Sequence, residues 1–371
     1  MTSSSDKRYW IGFNLIKGIG AVRFQALIQH FGDLERAWRA PAVELTAAGL
    51  GRKVIERILE ARETVDLAAL NANIERQGIT ILTWPDAAYP ARLKEIQQPP
   101  PVLYARGEYL EDDAFAVAVV GTRRVTAYGR QIAEEIAAYL AANGLTVISG
   151  LARGVDAIAH ESALRAGGRT IAVLGSGVDR IYPPEFRGLA DRMSTRGAIM
   201  SDYAMGTAPD AANFPPRNRL IAGLSLAVVV VEAGETSGAL LTAQFAAEQG
   251  REVFAVPGNI LAPQSKGTNR LIQQGAQPLL NMDDLMQALD LTRLGEHKAA
   301  RKVLPADETE ARLLALLGGE PQHVDAIRSQ AELPIEKVSA ALALMELKGM
   351  VRQVGGMNYI AVREVQSDYF I

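Results

Sequence analysis

Five arginines, Arg123, Arg124, Arg153, Arg217 and Arg219, are the residues of this chain best placed to do chemistry, and the chemistry is anion binding. All five stand in three short segments at strand ends or a helix start: VAVVGTRR (117–124), TVISGLARGVDAIAH (146–160) and NFPPRNRL (213–220). A guanidinium offers a planar fork to a phosphate, and glycine lets backbone approach a ligand closely. Gly121, Thr122, Ser149, Gly150 and Gly154 supply that small-residue setting. The bland alternative for Arg123 and Arg124 is a solvated surface or a bridge to a carboxylate such as Asp156. Phe214, beside Arg217 and Asn218, joins an aromatic ring to guanidinium groups, the combination single-stranded nucleic acid uses for stacking and phosphate pairing. Its bland alternative is a core phenylalanine with arginines capping a sheet end. Ser237 and Gly238 in GETSGAL (234–240) and Lys266 and Gly267 in SKGTNRLIQQGA (265–276) add two more helix starts with free N–H groups.

Other chemistries are disfavoured by what those turns lack. The first turn has no G-x-G-x-x-G fingerprint, and the next strand ends in Ser149-Gly150, where a dinucleotide site wants an acidic residue. There is no P-loop and no G-x-S-x-G elbow. Asp156 and His160 are spaced i,i+4 and could touch as an acid–base pair, although a hydrogen bond tying helix to loop is the plainer role. The four histidines, His30, His160, His297 and His323, have no metal-ligand spacing, and the chain has no cysteine. No metal or cofactor is expected.

The elements that must carry these turns follow from hydrophobic pattern. Over 114–290, apolar runs such as AVAVV and LAVVVV alternate with helical stretches. That pattern predicts an α/β domain with a parallel sheet whose strands are buried on both faces. Two further turns, TIAVLGSGVDRIYPPE (170–185) and REVFAVPGN (251–259), end strands of the same kind. Ligands in such sheets bind outside the carboxyl ends of the strands, so all the turns should share one rim. GRQIAEEIAAYLAANG places Ile132, Ile136 and Leu140 on one stripe and ends in Asn-Gly. Residues 8–72 read as small helices with a Gly18-x-Gly20 turn, either a helix-hairpin-helix offering N–H groups to a phosphate or simply a compact helical domain. Residues 79–110 are a Pro-rich connector with two short extended runs. After a polar stretch, three helices and a hairpin tipped by Gly355-Gly356 form a winged-helix pattern, with Pro334 suited to the first turn of the third helix. That helix exposes Glu336, Lys337 and Glu346, so duplex binding and protein interaction both remain open.

With 371 residues, 48% hydrophobic and 22% charged, the chain has the composition of a soluble protein of two or three domains. Its net charge is -3, so nucleic-acid binding must come from a local basic patch. No run approaches the ~20 apolar residues of a membrane span. MTSSSDKRYW lacks the apolar core of a secretory signal, and a cytoplasmic location is expected.

Taken together, VVGTRR, SGLARGVDAIAH, AVLGSGVDRIYP, FPPRNRLIAGLS, SGALLTA, VFAVPGN and GTNRLIQQGA resemble, in order and spacing, the DprA (Smf) family of bacterial DNA-processing proteins. The resemblance implies an extended Rossmann-like domain over 76–290, flanked by a helical domain resembling a sterile-alpha-motif (SAM) fold over 1–75. A linker over 291–305 and a winged-helix domain over 306–371 complete the expected organisation. It further implies a non-enzymatic protein that binds single-stranded DNA, protects it during natural transformation, helps load the RecA recombinase and dimerises through the Rossmann-like domain. By motif matching, the DNA pocket falls on Gly121, Thr122, Arg123, Ser149, Gly150, Phe214, Arg217, Asn218 and Lys266. Arg124, Arg153, Gly154, Arg219, Ser237, Gly238 and Gly267 join them as rim residues. Ala211 and Ala212 leave no cation beside Phe214 on that side. Two other readings compete. One is a nucleotide phosphoribohydrolase of the lysine-decarboxylase-like group, whose P-G-G-x-G-T-x-x-E loop is absent from EAGETSGALLT. The other is a transcription regulator acting through the winged helix.

Overall fold

A computed structural model describes residues 4–289, 307–317, 321–347 and 350–361. Contacts divide the chain into two units, Met1–Asp290 and Leu291–Ile371. The expected linker over 291–305 lies outside the described residues.

The first unit is built on a nine-stranded sheet. The five apolar runs become β3 (Ala116–Val120), β4 (Thr146–Ser149), β5 (Thr170–Val173), β7 (Ala227–Val230) and β8 (Glu252–Ala255). Four strands beyond those five complete it: β1 (Ile79–Thr83), β2 (Val102–Gly107), β6 (Gly197–Ser201) and β9 (Gln277–Pro278). The order is β1-β2-β6-β5-β4-β3-β7-β8-β9. From β6 to β9 the neighbours pair parallel, while β2 pairs antiparallel with β6 and with β1. The Pro-rich connector thus supplies two strands, β1 at the edge of the sheet and β2 beside it: Ile79–Thr83 pair in register with Val102–Arg106.

The chain lays β3 through β6 outward on one side, then returns to place β7 on the other side of β3. That reversal opens a crevice at the carboxyl ends of β3 and β7, where an open α/β sheet receives ligands. Every residue of β3, β4, β5, β6 and β7 is buried, which explains the unbroken apolar runs of β3 and β7.

Six helices precede the sheet: α1 (Ser4–Leu15), α2 (Ala21–Phe31), α3 (Leu34–Arg39), α4 (Ala42–Ala47), α5 (Arg52–Thr64) and α6 (Leu67–Arg76). Sequence spacing set them apart as a separate domain, but their core is continuous with one face of the sheet. Phe13, Phe24 and Ile58 share a buried cluster with Ile81, Tyr104 and Ile199. Two polar ties reinforce the joint: the Tyr104 hydroxyl donates to Asn14 Oδ1 at 2.9 Å and Lys7 Nζ donates to the Ile81 carbonyl at 2.8 Å. In the Gly18-x-Gly20 turn, the carbonyls of Lys17 and Gly18 accept from Arg57 and Arg23.

Between strands lie α7 (Ala91–Lys94), α8 (Ala127–Ala142), α9 (Val155–Arg165), α10 (Arg187–Thr195), α11 (Phe214–Gly223), α12 (Ala239–Glu248), α13 (Lys266–Gln273) and α14 (Met282–Ala288). In α8 the stripe of Ala133, Ile136, Ala137 and Leu140 is buried, and the helix ends at Asn143 as its Asn-Gly pair predicts.

The second unit is a winged helix. Its helices α15 (Glu308–Leu316), α16 (Val324–Ala331) and α17 (Ile335–Leu347) enclose Leu313, Ile327, Val338, Leu342 and Met345. Its wing is β11 (Val351–Gln353) and β12 (Asn358–Ala361), turning through Gly355 and Gly356, with β10 (Gln322–His323) pairing on the far side of β12. Pro334 stands just before α17, and its carbonyl accepts from Lys337 and Val338.

Candidate nucleic-acid interface

The crevice at the ends of β3 and β7 is an open cleft of about 820 Å³. Its floor is backbone drawn tightly together. The Thr122 N–H donates to the Glu232 carbonyl at 2.7 Å, joining the turn after β3 to the turn after β7. Gly154 sits at φ +80 with the Thr122 carbonyl against it, where a side chain would collide. A Cβ on Gly150 would stand 2.7 Å from Arg217 Nη2, so this glycine makes room for a buried guanidinium.

Arg217 is that guanidinium. It is 5% exposed, and Nη1 donates to the carbonyls of Gly150, at 2.9 Å, and of Val173. Burial lowers its pKa to about 10, with Asp156 opposing the shift, so it keeps its charge at neutral pH. Asp156 is itself buried and accepts from the N–H groups of Gly150 at 3.1 Å and Ala152 at 3.3 Å. Burial raises its pKa, and Arg217 acts in the opposite direction. The i,i+4 contact with His160 is not made. His160 turns to the sheet, with Nδ1 2.6 Å from Thr170 Oγ1.

The Phe214 ring has two guanidiniums against it, Arg217 from the floor and the exposed Arg123, each with Cζ 5.8 Å from the ring centroid. Phe214 opens α11, with Pro215 and Pro216 in its first turn, so the helix begins before the prolines and not after them. Arg123 and Arg124 are exposed and neither bridges to Asp156, whose oxygens serve the backbone. Among the described residues Asp156 is the one carboxylate lining the cleft, against Arg123, Arg124 and Arg217, so the lining is positive in a chain whose net charge is -3.

Nine of the expected residues line the cleft: Gly121, Thr122, Arg123, Arg124, Phe214, Arg217, Asn218, Ser237 and Gly238. Gly150 and Arg153 line a smaller adjoining recess together with Arg123, Phe214 and Arg217. Arg153 is also engaged by Glu185 at 2.7 Å. Gly154 braces the floor. Four residues are placed otherwise. Ser149 is fully buried and its hydroxyl donates to the Val119 carbonyl at 2.7 Å, within the sheet. Arg219 pairs with Asp202 at 2.9 Å and donates to the Gln98 carbonyl, because residues two apart on a helix face different ways. Gly267 packs on the Ala233 carbonyl, to which its N–H donates at 2.8 Å, and Lys266 is exposed on the next turn along the rim, outside the cleft lining. Sequence reasoning passed over Tyr182, Thr236 and Leu241, which also line the cleft. Tyr182 was detectable as an aromatic placed between a strand-end turn and Pro183-Pro184. Glu232 is another residue found only in the structure: buried at the end of β7, it accepts from the N–H and the hydroxyl of Thr126 at 2.9 and 2.5 Å and holds the start of α8.

Asp156 serves backbone donors and Glu232 serves a helix cap, while the turn after β7 carries Glu235 exposed to solvent.

The family described as DNA recombination-mediator protein A matches residues 80–290, and the DprA winged helix domain matches residues 297–357. Protein Smf of Synechocystis is 37% identical, covering 96% of this chain and 99% of that protein. DNA processing protein DprA of Bacillus subtilis is 38% identical over 68% of this chain and 88% of its own length. Among solved structures, DprA of Streptococcus pneumoniae aligns with a TM-score of 0.67 at 32% identity, covering 77% of this chain and 98% of that one. DNA processing protein A of Helicobacter pylori, described for its single-stranded DNA binding mode, aligns with a TM-score of 0.52 at 32% identity, over 57% of this chain and 95% of that one. By both its matched segments and its relatives, the chain belongs to the DprA/Smf family of DNA recombination-mediator proteins.

Proposed function

We propose that the cleft at the ends of β3 and β7 binds single-stranded DNA. The observation that carries this reading is Phe214 set against the guanidiniums of Arg123 and Arg217, over a floor of backbone. A base has a face to stack on an aromatic ring, worth about 1–3 kcal/mol per base, and its phosphates have arginine partners beside it. A duplex hides its base faces and gains only the charge term. The Helicobacter pylori relative described for single-stranded DNA binding supports the same reading.

In this role the chain protects strands entering the cytoplasm and, as a homodimer joined through the sheet domain, hands them to a RecA-type recombinase. The family description as a recombination mediator supports that direction. Light scattering of the purified chain tests the dimer, and RecA nucleation on oligo(dT) with and without the protein tests the transfer.

The binding reading is tested by gel shift of oligo(dT) and a duplex of equal length across a salt series. Oligo(dT) is expected to bind far more tightly, with affinity falling steeply with salt. Arg123→Ala is expected to weaken binding and reduce the slope of log K against log salt by about 1, the share of one phosphate contact. Equal affinity for duplex and single strand, or an Arg123→Ala protein that binds like the parent, would count against the cleft.

A further inference from the structure

We propose that Tyr182 is a second stacking platform, so that the cleft seats two successive bases, one on Phe214 and the next on Tyr182. This rests on the single-strand reading above and extends it.

Tyr182 is held outward while its neighbours are held inward. Ile181 packs against the core of the sheet face and Pro183 is buried, yet the tyrosine is 39% exposed and lines both the cleft and the smaller recess. A large aromatic side chain left in solvent forgoes the burial that Ile181 obtains one residue away. Its hydroxyl is unused as well. That hydroxyl has no hydrogen-bond partner among the described residues, whereas Tyr203 donates its own to the Asn213 carbonyl, next to Phe214 in the chain.

The relation of the two rings decides how they would be used. Their centroids are 6.0 Å apart and their planes are inclined by 36°. A base slotted between two parallel rings needs two stacking separations of about 3.4 Å each. The observed gap is short of that and the planes diverge, so the rings form a two-step platform and not a sandwich. Cations stand at both ends of it: Arg123 and Arg217 against Phe214, and Arg153 in the recess beside Tyr182. Two bases on the rings would leave their phosphates beside the exposed guanidinium of Arg123 and near Arg153, which shares its charge with Glu185.

The experiment compares oligo(dT) with an abasic strand of the same length and charge, on the full chain. Tyr182→Ala is expected to weaken oligo(dT) about tenfold, within the range of one stacked base, and to leave the abasic strand and the salt slope unchanged. Tyr182→Trp should restore oligo(dT) binding, and Tyr182→Leu should not. Equal loss on both strands, or no loss on either, overturns the proposal, as does rescue by leucine. Melting curves of each variant identify any that are misfolded, and the Trp and Leu comparison then carries the test. If the parent protein itself fails to bind oligo(dT), the cleft reading falls first and this proposal with it.

Discussion

Arg217 and Arg123 share a ring and do different work. Arg217 is buried and bonded to two main-chain carbonyls, so its removal strands those acceptors and the Asp156 carboxylate. Arg217→Ala should destabilise the chain by about 3 kcal/mol, measured as a shift in denaturation midpoint, and should lose binding as a consequence. Arg123 is exposed, so Arg123→Ala should change binding alone. His160 gives a second residue-scale test. Thr170 Oγ1 donates to the Val147 carbonyl at 2.8 Å, so it accepts from His160 Nδ1, leaving Nε2 without a hydrogen-bond partner. Burial lowers the imidazole pKa from 6.5 to about 3. Between those values the unfolded chain takes up a proton that the folded chain refuses, so stability falls as pH drops from 6.5 toward 3. The slope from this group is at most about 1.4 kcal/mol per pH unit. Urea titrations of His160→Gln across that range should show a shallower acid limb. Several roles at this scale were not legible in the sequence. Ser149 reads as a rim hydroxyl until the strand's alternation turns it into the sheet. Arg219 reads as a partner of Arg217 until the helix start at Phe214 puts them on different faces.

At the scale of elements, the cleft depends on how α8 begins. Thr126 caps the helix, accepting from the Gly129 N–H at 3.1 Å, and Glu232 from the far turn grips Thr126 through its N–H and hydroxyl. Gly129 faces that carboxylate so closely that an added methyl would collide with it. Gly129→Ala should therefore cost about 1–3 kcal/mol or more, although alanine is the better helix former. Denaturant unfolding with an unchanged m-value would show it. The strands that positioned the site were legible because unbroken apolar runs signal burial on both faces. β1, β2 and β6 were harder to read. The first two lie in a proline-rich stretch and pair antiparallel, and GAIMS is short and includes a glycine and a serine. Glu232 was out of reach: a lone acid at the end of an apolar run carries no mark of the helix start it holds, which lies 106 residues away in sequence.

For the molecule as a whole, the two units carry different surfaces. All of the cleft lies in the first. In the second, the exposed residues of α17 include Glu336, Lys337 and Glu346, with Leu344 and the wing residue Met357 also exposed, a mixed surface and not a phosphate-binding one. A chain ending at residue 290 is accordingly expected to keep the oligo(dT) affinity and salt slope of the full protein, with duplex affinity no lower than before. Equilibrium binding by fluorescence anisotropy on both lengths of chain checks this. The sheet's two margins have a separate consequence. A long sheet invites a neighbour's strand to extend it, and both margins of this mixed sheet carry an obstacle to that. On the β1 side, the Lys7 ammonium occupies the Ile81 carbonyl. On the other, β9 is two residues long and finishes in Pro278, which has no N–H to give. Both flanks of the sheet are thereby poor templates for a neighbour's strand, which works against edge-to-edge aggregation at high protein concentration.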